Sequence, residues 1–323
     1  MRMLRRLRCR LLTPPVSATR LDARGFHVKS AEARDRLETI GATFLRGFGY
    51  AALARTAAEA EGWLERVPVP VRGFAYEGAA MGLAIRDALS FGRARHVADL
   101  LAGRGDQHIY MSYIGVGWAL ARLPRRRWHR LTAPDPLLRW LALDGYGFHQ
   151  AYFRTEQYVL RQRRDVFPGW PKDGPRDYAA RAIDQGIGRA LWFVGGTDVD
   201  VVGRLVNRFA DGRRADLYSG VGLAATYAGG VDAGELTRLW RNAGPYRVHI
   251  AQGSAFAAKA RVRAGLVVPH NEIATEIFCG MSTHDAAKIT DKAREGLADT
   301  GAVPAYEIWR QRIADELVSQ GRQ

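Results

Sequence analysis

The chain has little cysteine, little lysine and no long apolar run, and each shortage excludes something. Two cysteines in 323 residues, Cys9 and Cys279, cannot make a disulfide framework. A reducing, cytoplasmic setting is therefore expected. Cys279, in the apolar stretch IFCGM, reads as a small buried hydrophobe. No run of 18 apolar residues occurs, so no transmembrane helix is expected. Only five of the 48 basic residues are lysine. A net charge of +15 built almost wholly from arginine fits a GC-rich coding sequence better than a selected phosphate-binding face. Zinc-finger spacing, a helix-turn-helix signature and an aromatic RNA-binding stripe are also missing, so nucleic acid is not an expected partner. Nor is there a Walker A loop, HExxH, GxSxG or CxxC, and the sequence names no cofactor. At 47% hydrophobic and 25% charged residues, the chain has the balance of a globular protein with a substantial core.

What is present is a repeat. Six windows align on a glycine in third place: YEGAAMGLAI (76–85), YIGVGWALAR (113–122), GYGFHQAYFR (145–154), DQGIGRALWF (184–193), YSGVGLAATY (218–227) and AQGSAFAAKA (251–260). The glycines, Gly78, Gly115, Gly147, Gly186, Gly220 and Gly253, recur at a spacing near 34. The residue four places on is small in every window (Gly82, Ala119, Ala151, Ala190, Ala224, Ala257), and such pairs one turn apart let helices pack closely. Between the windows lie amphipathic stretches such as ARHVADLLAGRG, DVVGRLVNRFADG and GELTRLWRNAG, each with glycine at or near its end. The pattern predicts an all-α protein of stacked helical hairpins, a tetratricopeptide-like solenoid, with an α/α toroid as the alternative.

Around this repeat region (74–280), residues 1–73 read as a basic tail followed by leading helices, and 281–323 as C-terminal capping helices. The stretch MRMLRRLRCRLLTPP carries five arginines and no acid, with Leu4, Leu7 and Leu11 on one helical face. It lacks the h-region of a signal peptide. A frayed tail ended by Pro14 and Pro15 is expected, with a peripheral membrane contact through residues 1–15 as the functional alternative. VPVPVRG (67–73) reads as an irregular connector. DVFPGWPKDGPRD (165–177) reads as a Pro- and Gly-rich loop that could act as a lid.

The candidate chemistry is sparse. GVGLAATYAGG (220–230) looks like a dinucleotide loop but follows no strand, and the repeat accounts for its glycines. Asp198 and Asp200 read as a turn leading into a helix. His108, His149, His249 and His270 show no metal-ligand spacing. His149 stands apart, because two places after the aligned glycine the other windows carry only alanine or glycine. An imidazole there needs space or a partner, and is a candidate general acid or base. Polar groups also recur just before the glycines. If equivalent helices line one concave surface, His149, Asp144, Tyr146, Glu77 and Asp184 would be its catalytic groups. Tyr76, Tyr113, Trp118, Trp192, Tyr218 and Gln252 would then bind ligand. Such a surface suits a long, poorly soluble, conjugated molecule.

Taken together, GFAYEGAAMGLAI, YMSYIGVGWALARL, DPLLRWLALDGYGFHQAYF, DQGIGRALWFVGG, RRADLYSGVGLAATYAGG and HIAQGSAFAAKAR resemble an uncharacterised family, a domain of unknown function encoded beside enediyne polyketide synthases. The resemblance spans roughly residues 25–290. It implies an accessory role in enediyne biosynthesis, acting on or holding a polyene-derived intermediate after polyketide assembly, and supplies no reaction or catalytic residues. The alternatives are a non-catalytic scaffold for other enediyne pathway proteins, or a self-resistance protein that sequesters the product.

Overall fold

The computed structural model describes every residue except 1, 91, 93, 132, 166–169, 171–174, 176, 298–300, 302 and 323. It is all-helical, with 77% helix and no strand among the described residues. The elements are α1 (Arg2–Leu12), α2 (Leu21–Arg24), α3 (Ala31–Leu53), α4 (Ala57–Leu64), α5 (Val69–Leu89), α6 (His96–Ala102), α7 (Ile109–Arg122) and α8 (Trp140–Phe153). They continue with α9 (Tyr178–Val194), α10 (Val199–Asn207), α11 (Asp211–Ala228), α12 (Ala233–Asn242), α13 (Arg247–Arg263), α14 (Pro269–Cys279), α15 (Thr283–Arg294) and α16 (Ala305–Ser319). The expected helical repeat is present. Helices α3, α5, α7, α8, α9, α11 and α13 pack side by side in that order. Shorter helices, or 3-10 and π turns where the link is tight, carry the chain back between them.

Local sequence sets the helix ends. Ser30, Thr56, Asp198 and Ser282 cap their helices by accepting backbone N–H bonds. Asp232 and Glu235 form a capping box at the start of α12. The expected turn at Asp198 and Asp200 is therefore the N-cap of α10. VPVPVRG is not a connector, because α5 begins inside it at Val69. Pro70 falls in the first turn, where a missing N–H costs nothing. The basic tail is not frayed either. Arg8 donates to the Ala52 carbonyl (2.6 Å) and the Ala54 carbonyl (3.1 Å), satisfying the end of α3 and docking α1 on it. Most of the expected lid, nine of its thirteen residues, lies outside the described set.

The glycines explain how the row packs, and they correct its register. A Cβ on Gly117 would collide with the Ala142 carbonyl, and one on Gly145 with the Ile114 carbonyl. The same reciprocal contact joins Gly147 to Gly186, Gly188 to Gly220, and Gly222 to Gly253. Each helix thus carries two small positions, two residues apart. The first packs backward onto the preceding helix and the second forward onto the next. In α8 the backward position is Gly145, so an alignment on Gly147 is displaced by two residues. His149 then lies four after the backward glycine, where the sister helices have Gly82, Ala119, Ala190, Ala224 and Ala257. It is still the exception, at a different place in the pattern. Glycine inside a helix costs ~1 kcal/mol of propensity. Backbone-to-backbone contact along each crossing offsets that cost.

The two glycines lie on nearly opposite sides of each helix, which leaves a concave and a convex face between them. Residues one before, three after and seven after the backward glycine share the concave face. This face includes Glu77, Trp118, Asp144, Phe148, Gln185, Arg189, Gln252 and Phe256. The coil is tight enough for non-neighbours to meet across it. Phe74 of α5 packs edge-on against Tyr227 of α11 (5.2 Å between centroids), and Arg261 of α13 donates to the Pro70 carbonyl (3.1 Å). The first two turns of α5 thus meet the last turns of α11 and α13. Helix α16 fills the concave face of α9, α11 and α13. Its Tyr306 lies 3.3 Å from Gln185, and its Arg310 binds Asp216 at 2.8 Å.

Candidate functional site

The concave face of α5, α7, α8 and α9 is left open as a cavity of about 390 Å³, within the usual size of a small-molecule site. Helix α3 and residues 14–26 cover it. Phe44 lies against Trp118 (4.3 Å), Phe26 packs edge-on to Tyr152 (5.0 Å), and the Tyr152 phenol donates to the Thr19 carbonyl (3.3 Å). The wall is largely aromatic: Phe44, Phe74, Trp118, Phe148, Tyr152, Phe153 and Phe193, with Met81. Its polar groups are Thr19, Glu77, His149 and Arg189, with Arg122 and Arg154 as exposed cations.

Glu77 is 2% exposed, and its Oε1 has no hydrogen bond. The Arg189 guanidinium stands 3.9 Å away and spends its short bond on Asp144 (2.5 Å), which also accepts from Gln185 (2.8 Å). The Trp118 indole N–H lies close enough to favour the charged carboxylate, yet closes no good hydrogen bond. Burial pushes the Glu77 carboxyl up, Arg189 pulls it down, and Asp144 pushes it up again, leaving it at about 7. Burial also raises Asp144 against the pull of Arg189. Glu77 is therefore poised between acid and base near neutral pH, the condition for proton transfer in either direction.

His149 faces the same cavity, edge-on to Trp118 (5.5 Å) and beside Phe153 (4.8 Å), with Nδ1 unbonded. Burial pushes its pKa down to about 3, so the ring is neutral. It offers a ligand an aromatic surface and one hydrogen-bonding nitrogen rather than a ready proton.

The structure thus brings Glu77, His149 and Trp118 into one cavity, with Asp144 directly behind through Arg189. The other sequence candidates lie elsewhere. Tyr146 donates to Asp165 (2.6 Å), and Asp184 is held by Arg213 (2.5 Å). Tyr76 donates to Glu65 (2.7 Å) and stacks on His108, Tyr113 accepts from the Asp135 N–H (2.7 Å), and Tyr218 donates to Asn207 (3.2 Å). Trp192 donates to the Gly229 carbonyl (3.0 Å), and Gln252 accepts from Ser219 (2.7 Å). Tyr76, Tyr113, Asp184 and Tyr218 all sit two before the backward glycine. One residue is about 100° of helix, which moves them from the concave to the convex face. Tyr146 is misplaced by the two-residue slip in α8. The residues that sequence reasoning missed, Arg189, Phe148, Tyr152 and Phe193, fall at three or seven after the glycine, a stripe readable once the register is right. Arg189 carried its own signal, as the one charged residue in the small and apolar stretch from Gly186 to the end of α9.

Residues 3–317 match the family model described as a protein of unknown function, DUF1702. The chain belongs to the DUF1702 family. No curated protein and no solved structure matches it. The DUF1702 match includes all the helices that bound the cavity and nearly all of α1.

Proposed function

We propose that this DUF1702 protein encloses a largely apolar, conjugated small molecule in the aromatic cavity, and that Glu77 exchanges a proton with it. The observation that carries the reading is a buried carboxyl with one oxygen, Oε1, left without a hydrogen bond, facing a cavity walled by seven aromatic rings. Apolar walls with a few placed polar groups are what a ligand of this kind requires. The resemblance of the repeat windows to the family encoded with enediyne polyketide synthases supports a polyene-derived core intermediate as the ligand. On this reading Arg189 and Asp144 position Glu77 and set its charge, and His149 orients the ligand.

Binding is tested with parinaric acid, a conjugated tetraene fatty acid whose fluorescence rises in apolar surroundings. Saturable binding to the full chain, weakened at least ~10-fold by Phe148→Ala, is expected. Non-saturable or absent binding would remove the cavity reading. Function is tested in a producing strain that lacks the gene and is complemented with variants. Glu77→Gln is expected to bind the probe and to fail to restore enediyne titre. Full restoration would reduce the site to a holding or sequestering role, and lost host tolerance with intact titre would mark self-resistance.

A further inference from the structure

Ten large hydrophobic side chains are exposed among the described residues, and four of them fall within the first sixteen positions: Met3, Leu7, Leu11 and Val16. Met3, Leu7 and Leu11 are spaced i, i+4, i+8, so they form one stripe on the outer side of α1. They are 85%, 51% and 73% exposed. Leu89, at the end of α5 and 47% exposed, shares a groove with Leu7 and Leu11 and widens the patch. Arg6 and Arg10 are exposed beside the stripe, and α1 contains no acidic residue. The inner side of α1 is already used, since Arg8 holds the carbonyls of Ala52 and Ala54 and Cys9 lies against Gly49. What remains is an apolar ridge with a basic rim on a helix fixed to the body of the protein.

We infer that α1 is a membrane-surface anchor for anionic lipid, which sets the mouth of the aromatic cavity against the bilayer. Charge complementarity chooses the occupant. An apolar stripe edged by arginines, with no acid of its own, suits phosphate headgroups above acyl chains. Arginine stems of this kind lie along apolar surface while their heads reach the phosphates. The position of the helix gives the anchor a purpose. Two residues after α1 ends, Pro14 lines the cavity, as does Thr19. The exposed Arg122 and Arg154 stand at the same cavity. A ligand dissolved in the bilayer would pass from lipid into the aromatic wall without crossing bulk water. That route rests on the cavity being a ligand site, whereas the anchoring does not.

Co-sedimentation of the full chain with vesicles tests the inference. Vesicles of phosphatidylglycerol and phosphatidylcholine are expected to bind at least ~10-fold more protein than phosphatidylcholine alone, less at high salt. Arg6→Glu with Arg10→Glu, and separately Leu7→Ser with Leu11→Ser, should each weaken binding at least ~10-fold. All four residues are exposed, and an unchanged melting temperature without vesicles confirms that each variant folds. No binding to the anionic vesicles, equal binding to both lipids, or variants that bind like the parent would overturn the anchor. Parinaric acid titrated in vesicle-free buffer reports on the cavity alone. Saturation there without vesicle binding sinks the anchor and leaves the cavity reading standing, and the reverse result does the opposite.

Discussion

The concave face of the helical row has two halves that solve the same problem differently. In the half formed by α9, α11 and α13, the buried acids are fully paired. Asp216 accepts two bonds from Arg181 (3.0 and 3.2 Å) and meets Arg310 at 2.8 Å, and Glu307 accepts from Tyr178 (2.7 Å). Burial pushes Asp216 up, but Arg310 and Arg181 outweigh it and hold the carboxyl below its ordinary range. In the half formed by α5, α7, α8 and α9, one arginine serves two carboxyls and bonds only one. Glu77 is left with Oε1 unbonded, and burial raises it to about 7. The first half is closed by α16 and is a core. The second is open and holds an acid with one oxygen unbonded. Equal burial with unequal pairing is what separates a structural ion pair from a candidate site.

The comparison can be broken at its strongest point by removing charges. Asp216→Asn leaves Arg310 and Arg181 with a buried partner lost, and should cost about 3–5 kcal/mol of unfolding free energy in denaturant melts. Glu77→Gln should act in the opposite direction above neutral pH. Glu77 has a folded pKa raised from 4.5 to about 7, so the native state binds more protons than the unfolded state between those values. Its contribution is fully present below the unfolded value and is lost as pH rises through about 7. Glu77→Gln should therefore stabilise the protein at pH 8 by up to ~3 kcal/mol and flatten the decline from pH 4.5 to 7. A loss of stability at pH 8, matching Asp216→Asn, would show the two halves to be alike.

Smaller effects sharpen the packing side. Gly186→Ala puts a Cβ into the Asp144 carbonyl and the backbone of Phe148, and should destabilise by about 2 kcal/mol despite better helix propensity. Gly203→Ala in α10 meets nothing within 4 Å and should stabilise by up to ~1 kcal/mol. The same melts read both. Smallest of all, Tyr146→Phe should change parinaric acid affinity less than ~2-fold, because its hydroxyl serves Asp165 on the convex face rather than the cavity.

Much of this architecture was legible in the sequence, because small residues at helix crossings leave a periodic trace. The all-α repeat, the amphipathic connecting helices and the presence of Glu77, His149 and Trp118 in one place follow from that trace. Two things did not follow. GYG in α8 offers two glycines, and sequence gives no means of choosing which packs backward, so Tyr146 was placed where Asp144 belongs. Nor does spacing show that α16, far along the chain, occupies half of the concave face. That contact depends on Tyr306 and Arg310 meeting Gln185 and Asp216, which are remote in sequence. The basic N-terminus read as loose because its anchor, the end of α3, lies more than forty residues away.

The central claim is that burial raises the Glu77 carboxyl to near neutrality, because the one arginine that could pull it back down is already engaged by Asp144. Difference infrared spectroscopy across about pH 5 to 9 tests it directly, by following the carbonyl stretch of a protonated carboxyl. The account predicts a band that titrates near 7 in the parent protein and is absent from Glu77→Gln. A parent spectrum with no carboxyl titrating in that window, or a band that survives in Glu77→Gln, would contradict it.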